Sequence, residues 1–222
     1  MKPPHKATSL PQALGHALLR TLVGSLLVGA MAAGAQAQAN PQTAPMSKAE
    51  AEEYIKENDI YPVAGNLAGV IMNGRVDDLR AMLAVGVNPN EKTSLPQSPI
   101  KLAAMACAGG RVPVEDIVAM IQVLARGGAT VNPANPDASP MITAAQQCPA
   151  RVIKALLDVG GDKAARTTQG YTPLSMAFIL RNYDAAKALM AAGATISKEA
   201  ANKLTGPDTD AQAKALIQQA TK

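Results

Sequence analysis

From residue 66 onward, apolar residues recur three or four positions apart in short stretches cut by glycine, proline or asparagine. That is the pattern of short amphipathic helices with one wet face. Leu67, Val70 and Ile71 make one stripe, and 76–83 forms a second helix beyond Gly74. Ile117, Met120, Ile121 and Leu124 line a longer helix that starts at Pro113 and runs to about Arg126. Ala186, Leu189 and Met190 line another, which Gly193 ends by supplying a left-handed cap. Upstream, Ser47-Lys48-Ala49-Glu50 has the spacing of a capping box, which predicts a helix through about Asn58. The polar stretch 40–46, with Pro41 and Pro45, reads as a flexible lead-in. Downstream, 197–203 and 210–220 form a last pair. Leu204, Leu216 and Ile217 point inward there, and Lys198, Glu199, Lys214, Gln218 and Gln219 face water. The chain is therefore predicted to be all-α.

One octet organises these helices: Gly170-Tyr171-Thr172-Pro173-Leu174-Ser175-Met176-Ala177. Gly170 permits a tight turn, Thr172 can cap the coming helix with its hydroxyl, and Pro173 suits the first helical position because its missing N–H costs nothing there. Leu174 faces the core, and Ala177 lets neighbouring helices approach. The motif recurs as Ser139-Pro140-Met141-Ile142-Thr143-Ala144-Ala145 and as Ser98-Pro99-Ile100-Lys101-Leu102-Ala103-Ala104, with serine as the cap. Thr172 follows Ser139 by 33 residues, and Leu156 to Leu189 and Gly160 to Gly193 keep the same interval. In motif and period this unit resembles the ankyrin repeat.

The resemblance covers roughly 60–222. It implies an ankyrin-repeat solenoid of about four helix-turn-helix repeats (60–92, 93–133, 134–166 and 167–199). A linker and capping helix at 40–59 precede them, and a helical cap at 200–222 follows. The first repeat has Gly65-Asn66 in place of Thr-Pro, as suits a terminal repeat. The Ser98 repeat is lengthened by Ala108-Gly109-Gly110-Arg111-Val112, and this extra length is expected to project from the outer edge. Where the family has a histidine after Thr-Pro-Leu, this chain has Lys101, Ile142 and Ser175, which puts the usual hydrogen bonds between turns in question.

Composition changes the picture at the N-terminus. Residues 1–20 carry Lys2, Lys6 and Arg20 without an acid, 21–31 is apolar, and Ala35-Gln36-Ala37-Gln38-Ala39 offers small residues for cleavage. This reads as a secretory signal peptide over 1–39, with an uncleaved anchor as the alternative. Export to the periplasm follows for a Gram-negative source. Without that segment the formal net charge of +4 falls to about +1, because it holds three cations and no anions. The basic balance is then a targeting feature, and it argues against nucleic acid or an anionic membrane as partner. Both histidines, His5 and His16, leave with the segment, which excludes histidine-based nucleophilic, acid–base and zinc chemistry in the mature chain.

Three remaining patterns touch on chemistry. Ser98-Pro99-Ile100-Lys101 fits the Ser-x-x-Lys arrangement of penicillin-recognising enzymes, but it falls on a helix cap and no Ser-Asp-Asn element accompanies it. Asp77-Asp78 and Glu115-Asp116 sit where helices begin and read as solvated faces, and Asp208 and Asp210 lack the glycine and terminal glutamate of a calcium loop. Under the ankyrin resemblance, Cys107 and Cys148 occupy equivalent positions in adjacent repeats. In an exported chain such a pair suggests a disulfide. Stacked helices about 8–10 Å apart oppose the bond, although the Gly109-Gly110 insertion could close the gap, and two buried thiols remain the alternative.

The resemblance implies a non-catalytic module, monomeric when unbound and without cofactor, that binds a protein partner through a concave face of turn tips and first helices. Carried onto this chain, the tips present Leu95, Gln97, Asn135, Asp137, Thr168, Gln169 and Tyr171. The helices present Met105, Gln146, Gln147, Ile179 and Leu180. Tyr171 is the leading anchor, unless it packs along the neighbouring tip. Ile179 and Leu180 could instead seal the last repeat against its cap. An inhibitor, immunity or protective role fits this reading. The alternatives are an obligate structural subunit of an envelope complex and, more remotely, a Ser/Lys hydrolase.

Overall fold

The chain is described by a computed structural model over residues 43–222. The predicted export segment lies outside the described residues. Within them the regular structure is eleven α-helices, joined by tight turns and a few short 3-10 segments, with no strand. Ahead of them all, Ser47 and Glu50 form the expected reciprocal box. Glu50 N donates to Ser47 Oγ at 3.2 Å, Ser47 N donates to Glu50 Oε2 at 2.8 Å, and α1 (Lys48–Glu57) follows.

Five helix pairs come next: α2 (Leu67–Met72) with α3 (Val76–Ala84), α4 (Pro99–Met105) with α5 (Val114–Arg126), and α6 (Pro140–Gln147) with α7 (Ala150–Asp158). The last two pairs are α8 (Pro173–Ile179) with α9 (Tyr183–Ala191), and α10 (Lys198–Leu204) with α11 (Ala211–Ala220). The even-numbered helices each touch the next to form one layer, and α1 with the odd-numbered helices forms the other. The core lies between the layers, where Leu67, Ile71, Leu79, Met82, Leu102, Met120, Leu124 and Ile153 are fully buried. Each such side chain is worth about 1.5–3 kcal/mol of transfer free energy. Close approach within the first layer follows from alanine, since Ala103, Ala104, Ala144, Ala145 and Ala177 are buried where α4, α6 and α8 meet.

The three Ser/Thr-Pro openings differ in their caps. Thr172 accepts from Ser175 N at 3.2 Å while Ser175 Oγ accepts from Thr172 N at 2.7 Å, so Ser175 completes a capping box. Ser139 Oγ accepts from Ile142 N at 3.3 Å. Ser98 holds the cap position with extended backbone, but its hydroxyl makes no cap bond and is buried without a hydrogen-bond partner among the described residues. The expected cap is therefore positional only.

Three further expectations change on contact with the fold, and the suggested disulfide forms. The lead-in is anchored at 43–46, because Arg80 Nε donates to Ala44 O at 3.0 Å and Arg126 donates to Thr43 O. Asp78 is not solvated: it is 4% exposed, accepts from Tyr54 Oη at 2.9 Å and pairs with Arg75. Val112, in the insertion expected to project outward, is buried, and a Cβ on Gly74 would stand 2.9 Å from its Cγ1. Cys107 and Cys148 form a disulfide with Cα atoms 5.3 Å apart. They can approach because neither lies in an α-helix body. Cys107 sits in the 3-10 turn Ala106–Gly109 and Cys148 is the extended C-cap of α6.

Candidate functional site

The turn that opens α8 is fixed by its own backbone. Thr167 N donates to Tyr171 O at 2.9 Å, Gly170 N to Thr167 O at 2.8 Å, and Tyr171 N to Thr167 Oγ1 at 3.0 Å. Gly170 takes φ +83°, which a side chain would disfavour. The turn is also tied to its neighbour, since Asp137 accepts from Thr168 N and Thr168 Oγ1, both at 3.0 Å. Lys101 Nζ then reaches Asp137 O at 2.8 Å.

Two open hollows flank this turn. One, of ≈ 430 Å³, brings together Asp137, Gln146, Thr168, Gln169, Tyr171 and Ile179, six of the residues expected on the concave face, with Met176. The other, of ≈ 470 Å³, shares Gln169, Tyr171 and Ile179 and continues to Arg166, Glu199 and Lys203. Tyr171 and Ile179 thus stand as a ridge between hollows, 41% and 43% exposed, with Leu180 at 50% beside them. Ile179 and Leu180 do not seal α8 against the last helices.

The other expected residues go elsewhere. Asn135 Oδ1 accepts from Asp137 N at 3.1 Å and caps a 3-10 turn, and Gln147 Nε2 donates to Met105 O at 3.4 Å. Leu95 is exposed but bound by its backbone to Thr93, and Gln97 is half-buried; neither borders these hollows. Asp137 and Thr168 line the first hollow while spending their polar atoms on tying the two tips together.

Sequence reasoning missed Arg166 and Lys203 as site residues. Arg166 donates to Gly170 O at 3.2 Å, bracing the turn from outside. Lys203 Nζ donates to Glu199 Oε1 at 2.6 Å, and this contact raises the ammonium pKa and lowers that of the carboxylate. Lys203 reaches the site only because α10 packs beside α8, a tertiary fact with no local signal.

Tyr171, Ile179 and Met176 supply apolar surface, and Gln146, Gln169, Arg166 and Lys203 supply donors around it. The Ser-x-x-Lys coincidence is not assembled, because Ser98 Oγ is buried and the Lys101 amine is held by Asp137 O. Among the described residues no group of three or more His, Cys, Asp or Glu could hold a metal ion, and no helix is long and apolar enough to cross a membrane. No protein-family model matches the chain, and no curated protein is similar to it at a significant level.

Proposed function

We propose that this protein is an exported ankyrin-repeat module that binds a protein partner through the turn tips and the first-layer helices. Its repeats span 60–92, 93–133, 134–166 and 167–199, each holding one helix pair from α2/α3 to α8/α9. Residues 40–59 and 200–222 close the ends, and 1–39 directs export. The observation that carries the reading is the exposed pair Tyr171 and Ile179, which border both open hollows, with Tyr171 on a turn fixed by hydrogen bonds. An exposed tyrosine on a pre-ordered turn loses little entropy on binding, which is what a contact anchor requires.

The test uses the full chain as bait in periplasmic extract of its source, with crosslinking and mass spectrometry, followed by affinity measurement on the captured protein. Tyr171→Ala is expected to weaken association about 30-fold and Gln146→Ala less, with melting temperatures unchanged. Unchanged affinity, or affinity lost only in step with folding, defeats the reading.

A further inference from the structure

The disulfide joins the ends of two first-layer helices, and its sulfurs sit in unlike surroundings. Cys148 is 1% exposed, whereas Cys107 is half-buried in the turn 106–109, with Ala108, Gly109 and Gly110 in water beside it. A reductant therefore meets Cys107 Sγ first and leaves Cys148 as the departing sulfur. The buried side is ready for that event. Cys148 Sγ lies 3.1 Å from Ala104 O, so a thiol formed there has an acceptor within the fold.

From Cys148 a line of hydrogen bonds runs to the candidate site. Asn182 Nδ2 donates to Cys148 O at 2.8 Å and to Ala145 O at 3.2 Å. The same residue closes α8, because its N donates to Ala177 O at 2.8 Å, and its Oδ1 caps α9 by accepting from Ala185 N at 3.3 Å. Ile179 and Leu180 lie on the segment held this way. On the near side Gln147, next to Gln146 of the first hollow, donates to Met105 O at 3.4 Å between the same two helix ends. Cys148 itself is an extended residue followed by Pro149, outside the body of α6, and its sulfur is what ties it covalently to the end of α4. A bond with two discrete states, joined by contiguous hydrogen bonds to an exposed surface, is what coupling between distant groups requires.

We infer that the Cys107–Cys148 bond is a redox switch on partner binding: intact, it holds Ile179 and Gln146 in place beside Tyr171, and cleaved, it releases them. The reductant is a dithiol. Its thiolate attacks Cys107 Sγ, forming a mixed disulfide and expelling the Cys148 thiolate, which takes a proton and donates it to Ala104 O. The second thiolate of the reductant then attacks its own partner sulfur in the mixed disulfide and frees Cys107, which is protonated from water. Two electrons pass, one disulfide is reduced and the dithiol is oxidised to a disulfide. The inference rests on the binding-module reading and adds the regulation of that site.

The experiment treats the full chain with dithiothreitol without denaturant, counts thiols by alkylation and mass spectrometry, and follows amide hydrogen exchange. The bond is expected to open with helical content kept, and Cys107 is expected to alkylate well ahead of buried Cys148. Exchange at Leu180, Arg181 and Asn182 should quicken by at least about tenfold, while Asn73 and Arg75, at the equivalent turn after α2, stay as they were. Asn182→Ala is the decisive variant. It cuts the line of bonds, so exchange at Leu180 and Arg181 is fast from the start and reduction adds nothing, whereas a disulfide that only stabilises the fold would quicken it again. A bond that opens only in denaturant, unchanged exchange at 180–182, or an Asn182→Ala chain that still responds to reduction each overturns the inference. The protein captured from extract should bind the oxidised chain at least about tenfold more tightly than the reduced one, and reoxidation should restore the difference. A captured protein that responds to Tyr171→Ala and binds both redox forms equally sinks this inference alone and leaves the binding module standing.

Discussion

At one end of the array Tyr54 on α1 donates to Asp78 on α3 at 2.9 Å. At the other, Tyr183 on α9 donates to Asp210 at the start of α11. The residue types match and the surroundings do not. Asp78 is buried and also paired with Arg75, and the strap at 43–46 is pinned over α3 and α5 by Arg80 and Arg126. Asp210 is half-buried and caps α11, next to hollows that nothing fills among the described residues. One end is closed by the chain itself, and the other keeps an apolar ridge in water. A surface that the fold has paid to leave open is where a partner is to be sought.

Cavities test that contrast most strongly. Leu79→Ala at the closed end removes a side chain with no exposure, and is expected to cost toward the top of the roughly 2–5 kcal/mol range for such changes. Leu216→Ala at the open end, where 8% exposure lets neighbours and water relax, should fall near its bottom. Urea unfolding of the full chain measures both, and equal losses would show that the two ends are packed alike.

The disulfide lies between the ends and spans a separation of 41 residues. Replacing both cysteines by alanine is expected to cost about 2–4 kcal/mol, chiefly by releasing the unfolded chain. Stacked pairs contact only their neighbours, so loosening the middle should also let the open end melt first. Two transitions, with the tyrosine signal of Tyr183 leading that of Tyr54, are expected by NMR during thermal unfolding. A single sharp transition would show that the ends stay coupled without the bond.

Much of this was legible in residue order. The capping box at Ser47, the proline openings of α4, α6 and α8 and the glycines at 74 and 193 are local signals, and the helices begin and end within a residue or two of them. Six of the twelve residues expected on the concave face line one hollow, since the turn motif sets where its tip points. What stayed hidden depends on neighbours. Val112 is buried because Gly74 leaves room for it, Asp78 because Tyr54 and Arg75 reach it, and Lys203 borders the ridge because α10 packs beside α8. Ser98 looked like a cap, but its hydroxyl makes none of the bonds that Ser139 and Thr172 make.

Both tyrosine pairs weaken in alkali, because the Tyr183 phenol is raised by its hydrogen bond to Asp210 as the Tyr54 phenol is raised, and the Tyr183 pair weakens in acid as well. Burial first and the Asp78 carboxylate second push the Tyr54 phenol up from 10.0 to about 12. A folded-state pKa above the unfolded one means the pair contributes fully below pH 10.0 and is lost as pH rises toward about 12. Asp210 is lowered from 3.8, first by the Tyr183 hydrogen bond and then by the backbone of Ala213, so its contribution is present above 3.8 and lost as pH falls further. Tyr54→Phe leaves a buried carboxylate oxygen without its donor and should cost about 1–3 kcal/mol near neutrality. The gap between wild type and Tyr54→Phe should close above pH 10.0, and that between wild type and Tyr183→Phe should be smaller and close in acid as well as above pH 10.0. Melting curves across pH decide it, and a pH-independent Tyr54→Phe gap would mean the hydrogen bond carries no weight.

The smallest effect comes from moving a closing device toward the open end. Asn90 joins its turn to the next by donating to Gly128 O and accepting from Thr130 N, both at 2.8 Å, and Asn132 does the same with Gly160 O at 2.9 Å and Asp162 N at 2.8 Å. Four residues after Gly160, as Asn90 and Asn132 follow Gly86 and Gly128, stands Ala164, and the bridge stops. Among the described residues only the Lys163 ammonium, reaching Ala192 O, spans that junction at the same level. The backbone is already suitable, since Ala164 N bonds Asp162 Oδ1 at 2.8 Å just as Asn90 N bonds Asn88 Oδ1 at 2.9 Å. Ala164→Asn should therefore reach Gly193 O and stabilise the chain by about 0.5–1.5 kcal/mol, the net worth of one hydrogen bond. Hydrogen exchange at Thr195, whose N–H stands where those of Thr130 and Asp162 do, should slow with it. A variant no more stable than wild type would show that the junction before α10 is held open by the set of its helices, and that a missing side chain is not the cause.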